Sequence, residues 1–120
     1  MASILVHLTW GPEDPTRATL AFLVAKTALA EGHEVTVFMA GEGVQLLRPA
    51  TADAVQGVGV GSLREHLDAV VAGGGKLYAS RQSSVARGLG PDDLGGLPVE
   101  LVSPEVLVAL TVSHDHVLSY

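Results

Sequence analysis

The sequence predicts an α/β domain of three layers: a mostly parallel sheet of about five strands with helices on both faces. Three observations carry this. Short apolar, β-branched segments alternate with longer helical ones along the whole chain, and Gly or Pro marks nearly every junction. Of the 120 residues 48% are apolar, with only two Phe, two Tyr and one Trp, so the core must come from Val, Leu, Ala and Ile. Strands joined through helices imply crossover connections and parallel pairing. The length suits one domain, 1–120, which buries roughly two-thirds of the surface of its unfolded chain.

Ile4 to Thr9 is short, apolar and β-branched, and reads as a strand buried on both faces. Gly11-Pro12-Glu13-Asp14-Pro15 turns the chain, with Asp14 placed to cap a helix and Pro15 suited to its first position. That helix is expected from Pro15 to Glu31, ending at Gly32. Between Ala18 and Ala30 its apolar residues cover most of the circumference, which predicts burial on more than one side. In so small a domain the second side is expected to be another subunit.

Val35 to Met39 is the second strand, and Gly41-Glu42-Gly43-Val44 opens a short helix that Pro49 ends. Ala50 to Gly61 is expected to be loop. Leu63, Leu67, Val70 and Val71 then recur at helical spacing, opposite Arg64, Glu65, His66 and Asp68. Gly73-Gly74-Gly75 stops that helix. A strand at Lys76–Ala79, a short helix at Ser83–Arg87, a strand at Val99–Val102, a helix at Pro104–Val112 and a strand at Val117–Tyr120 complete the chain.

Composition excludes several function classes. The net charge is −6 and the seven basic residues are scattered, which argues against nucleic acid and against an anionic membrane surface. No run approaches the ~20 apolar residues of a spanning helix. Met1-Ala2-Ser3 carries no Lys or Arg and the following apolar run breaks at His7, so a cytoplasmic location is expected. There is no cysteine, which removes disulfides, thiolate metal ligands and thiol nucleophiles together.

Ligands of parallel α/β sheets sit beyond the carboxyl ends of the strands. That edge collects Trp10 to Asp14, Ala40 to Val44, Ser80 to Ser84 and Ser103. The most informative stretch is Tyr78-Ala79-Ser80-Arg81-Gln82-Ser83-Ser84-Val85-Ala86-Arg87-Gly88.

With the opening strand and its Gly-Pro-Glu-Asp-Pro turn, the long Ala/Leu helix, Gly-His-Glu-Val-Thr-Val-Phe-Met-Ala-Gly and this Ala-Arg-Gly, the chain resembles the DsrE/DsrF-like family of small sulfur-relay proteins. The motifs follow in matching order over nearly the whole length, and the fold implied is Rossmann-like, of the flavodoxin-like kind. Sulfur-carrying members have a cysteine seven residues before the Arg of Arg-Gly, and some have a second three residues later. Carried onto this sequence, those positions are Ser80 and Ser83. The resemblance therefore implies a vacated sulfur-carrier position, because a serine hydroxyl neither ionises near neutral pH nor holds a persulfide.

Three readings of the two serines stand side by side. They cap a short helix. They help bind an anion with Arg81 or Arg87, in a strand-end pocket that also draws on Trp10, Glu13 and Gly41. Or Ser80 is a nucleophile, for which no G-x-S-x-G elbow is present and no base is assignable among the five histidines.

Elsewhere the signals are weaker. His114-Asp115-His116 offers two imidazoles without a clear third ligand and reads as a solvated turn, so no metal is expected. Gly57-Val58-Gly59 has Ser62 where a dinucleotide fingerprint needs Gly, and Gly41-Glu42-Gly43 fails at Leu46, so no cofactor is expected. Glu13 and Asp14 form a candidate acid pair, although capping accounts for Asp14. His7 reads as a hydrogen-bonded core residue. The function that best joins these readings is a family member without sulfurtransferase activity of its own, a structural or regulatory subunit linked to sulfur relay. The resemblance implies a homo-oligomer, trimer or hexamer, or pairing with a cysteine-bearing paralogue. The alternative is a small-molecule or anion-binding domain around Trp10, Ser80 and Arg81.

Overall fold

A computed structural model describes all residues, 1–120. Its strands are β1 (Ser3–Leu8), β2 (Glu34–Met39), β3 (Gln56–Gly57), β4 (Gly61–Ser62), β5 (Lys76–Ser80), β6 (Val99–Val102) and β7 (His116–Ser119). The helices are α1 (Pro15–Ala30), α2 (Pro49–Ala54), α3 (Leu63–Ala72), α4 (Arg81–Ala86) and α5 (Pro104–Ser113), with 3-10 segments at Gly41–Leu47 and Pro91–Asp93. Five strands form one sheet in the order β6-β5-β2-β1-β7, every pair parallel.

Alternation along the strands divides the sheet into two unlike faces. Val6, Leu8, Val35, Val37, Met39, Leu77 and Ala79 point to one side and join Phe22, Leu63 and Leu67 in a cluster of 22 buried apolar residues under α1 and α3. On the other side the register aligns His7, Phe38, Tyr78 and Glu100 in one row, with Leu5 and Thr36 in the next. Leu5 and Phe38 are buried there. The chain crosses this second face once, through α5, on its way from the β6 edge to the β7 edge.

The stretch from Ala50 to Gly61 is not the loop expected of it. Pro49 ends the 3-10 segment and also begins α2: Arg48 is extended, as a residue before proline tends to be, and Pro49 occupies the first turn, where its missing N–H costs nothing. After α2 comes the β3–β4 hairpin, whose turn depends on Gly59 at φ +73°. The hairpin is tied down by His66, whose Nε2–H donates to the Val60 carbonyl at 2.7 Å while its Nδ1 faces the Lys26 ammonium at 3.5 Å.

The sheet, the hairpin and α3 cover one face of α1, where Ala18, Ala21, Phe22, Ala25 and Ala28 are buried by the chain itself. Leu20, Leu23 and Val24 are only partly buried and Ala30 is exposed. A second incompletely covered helix is α5, apolar at Val106, Leu107, Val108, Ala109, Leu110 and Val112 with none of its ten residues buried. Val108 is 63% exposed and Val112 79%. No helix is long and apolar enough to cross a membrane.

Candidate functional site

Three loops meet at the carboxyl edge of the sheet: the β1–α1 turn, the 3-10 segment after β2 and α4 after β5. The first two pack backbone to backbone at Gly11, where any side chain would collide with the Glu42 carbonyl. At the third, the Ser80 hydroxyl accepts the Ser83 N–H at 3.1 Å and caps α4. Ser83 is no cap: its hydroxyl oxygen accepts the Gly41 N–H at 2.9 Å, tying α4 to the end of β2. The short helix thus begins at Arg81, two residues earlier than the spacing predicts.

Arg87 completes the tie. Its Nε donates to Glu42 Oε1 at 2.7 Å and its Nη1 to the Ser83 carbonyl at 3.0 Å. Arg48 in turn donates to the Arg87 carbonyl at 2.7 Å. The pairing with Glu42 is half-exposed, worth about 0–1 kcal/mol on its own. Its consequence is chemical: the charge of Arg87 is committed within the protein.

The remaining candidates are similarly engaged, but not with one another. Trp10 lies under the Arg17 guanidinium, 4.7 Å from the ring centroid. Glu13 folds back to accept the Gly11 N–H, and Asp14 caps α1 through the Arg17 N–H at 3.1 Å, so the two acids form no catalytic pair. Arg81 turns toward β6 and donates to the Leu101 carbonyl at 2.9 Å. Ser80, Ser83, Gly41 and Arg87 form one network, with Trp10 and Arg81 outside it on separate partners. Three surface hollows of about 450, 570 and 430 Å³ lie elsewhere, and neither Trp10 nor Ser80 lines any of them.

The histidines have other occupations. His33 Nδ1 accepts the Ala2 N–H at 3.0 Å. His114 is not part of a solvated turn: its Nδ1–H donates to the Leu110 carbonyl at 2.6 Å and its Nε2 accepts from the Thr36 hydroxyl at 3.0 Å, clamping the end of α5 to β2. Asp115 accepts the Ser3 N–H at 2.9 Å, which holds its carboxyl below the usual range. No group of three metal-ligating side chains assembles.

His7 stands two strands from β5, so its Cα lies on the order of 10 Å from that of Ser80. Its ring meets Phe38 edge-on at 5.9 Å instead. Against expectation its buried Nε2 has no hydrogen-bond partner, and burial pushes its pKa below 6.5. The folded state then binds fewer protons than the unfolded state between the lowered pKa and 6.5, so stability is fully present above 6.5 and is lost as pH falls through that window. The His7→Leu variant should lose less stability than the parent between about pH 7.5 and about pH 5.5. Urea midpoints at the two pH values measure this, and equal losses would refute it.

Glu42, Arg48 and Thr36 are not candidates by sequence, because the pairings Glu42–Arg87, Arg48–Arg87 and Thr36–His114 join residues far apart in the chain. Ser84 is likewise unheralded, a fully buried hydroxyl with no partner.

The model of the DsrE/DsrF-like family matches residues 2–120. The chain belongs to the DsrE/DsrF-like family. Among solved structures, this DsrE-like chain is similar to the YchN protein of E. coli, at 17% identity and a TM-score of 0.77 over 100% of both chains. It is also similar to MTH1491 of Methanobacterium thermoautotrophicum, described as of unknown function, at 18% identity and a TM-score of 0.74 over 100% of both. BT1422 of Bacteroides thetaiotaomicron, a conserved protein of unknown function, follows at 14% identity and 0.65, over 97% of this chain and 94% of the other. At these identities the likeness concerns the fold. Comparison with curated proteins finds no match.

Proposed function

We propose that this DsrE-like chain is a cytoplasmic structural or regulatory subunit associated with sulfur relay, without persulfide chemistry of its own, that works by assembling into an oligomer. The observation that carries the reading is the state of Ser80 and Ser83. At the strand end where the family resemblance would put sulfur, both hydroxyl oxygens accept backbone N–H groups, and the chain has no cysteine to substitute for them. What remains is the scaffold of a carrier with α4 tied to the end of β2.

Assembly is supported by α5. An apolar helix with Val108 and Val112 in solvent, next to an edge strand whose Val117 and Leu118 are 41% and 37% exposed, is a surface suited to a partner. By family resemblance that assembly is a trimer or hexamer of this chain, or one mixed with a cysteine-bearing paralogue. Light scattering at micromolar concentration should give a multiple of the 12.4 kDa protomer mass. The Val108→Asp/Val112→Asp variant, altered only at exposed sites, should keep its fold and fall toward the protomer mass. A monomeric parent would overturn the assembly part of the proposal.

A further inference from the structure

Between α4 and β6 the chain turns at Gly88, passes through the 3-10 segment at Pro91–Asp93 and returns as an edge strand. So short a connection covers the flank of β6 only in part, leaving a hollow of about 430 Å³. Leu89 and Leu94, both buried, belong to the main core, and half-buried Val99 and Leu101 pack against it. The floor of the hollow is thus an open window on the hydrophobic interior. Val85, 69% exposed, stands at the rim.

One charged side chain lines this hollow: Arg81. Its Nη2 is held by the Leu101 carbonyl at 2.9 Å, which orients the guanidinium, while Nε and Nη1 make no hydrogen bond within the protein. Arg17, Arg64 and Arg87 each pair with a carboxylate; Arg81 does not. Of the two acids on the covering segment, Asp93 is engaged with the Gly90 N–H at 2.8 Å, and Asp92 makes no ion pair with Arg81. An oriented guanidinium with two free donor nitrogens, set beside an apolar recess, presents complementary partners to the two ends of one molecule.

We propose that this hollow binds a small free monocarboxylic acid, its carboxylate on the Arg81 guanidinium and its apolar body against Leu89, Leu94 and Val99. The site stands apart from the assembly reading, since Val108 and Val112 lie on the opposite face of the sheet. It also moves the expected anion site from the strand ends to the β6 flank.

The test is an amide-resolved NMR titration of the full chain with octanoate, kept below its micelle concentration, with octanol as the uncharged probe of matched body. Saturable shifts clustered at Val85, Leu89, Leu94 and Val99 are expected. Arg81→Gln should weaken octanoate about fivefold and leave octanol unchanged. Val85→Asp, at the exposed rim, should weaken octanoate more than octanol. Absence of saturable binding in the millimolar range would overturn the proposal. So would octanol binding the parent as well as octanoate does, or shifts centred on Val108 and Val112.

Discussion

Replacing Phe22 with alanine should cost about 3–5 kcal/mol of folding stability, the range for deleting a fully buried phenylalanine. Phe22 has no exposed surface and sits in the cluster of 22 residues where α1, the sheet and α3 meet. A domain of this size is stable by only about 5–15 kcal/mol, so the loss removes a large part of the total. The urea midpoint should drop accordingly. The measurement gains its meaning beside Val112→Asp, expected to change monomer stability by less than about 0.5 kcal/mol. Both residues belong to helices rich in apolar residues. Phe22 is covered by its own chain, and Val112 is 79% exposed. Comparable costs for the two variants would show that this assignment of inside and outside is wrong.

The second large effect is a gain of chemistry. Ser80→Cys would place the chain's sole thiol at the start of α4, the position that matches the family's sulfur carrier. The cap should weaken by roughly 1 kcal/mol, since sulfur accepts the Ser83 N–H poorly. In return the thiol would face the first-turn N–H groups with the cationic Arg81 next in sequence, surroundings that lower a thiol pKa. Iodoacetamide should then modify one site, and at neutral pH it should do so faster than it modifies Thr27→Cys, a control at an exposed position of α1. Slower modification of Ser80→Cys than of this control would mean that the strand end is only a helix cap, and the vacated-carrier reading would fall.

Much of this is legible along the chain. The Asp14-Pro15 start of α1, the five strands and the capping capacity of Ser80 all depend on residues within a few positions of one another, and local signals carry such features. The hairpin at Gln56–Ser62 escapes such signals because its strands are two residues long and its anchor, His66, belongs to the next helix. The direction of Arg81 is equally invisible. Only the pairing of β5 with β6 brings the Leu101 carbonyl within reach of its guanidinium.

The division is sharpest at the position of Ser80. From residues alone it follows that no thiol chemistry is available there and that the strand end is where sulfur would sit in the resembling family. The first conclusion needs only composition, and the second is what the family resemblance implies. Which groups Ser83 and Arg87 meet was decided by tertiary structure, because Gly41 and Glu42 close on α4 from a loop some forty residues earlier in the chain. The same holds for the two apolar helices. Both are rich in apolar residues, whereas the path of the chain decides that the sheet, α3 and the hairpin cover one face of α1 and that no residue of α5 is buried. Burial is a property of what packs against a residue, and the partners here are distant in sequence.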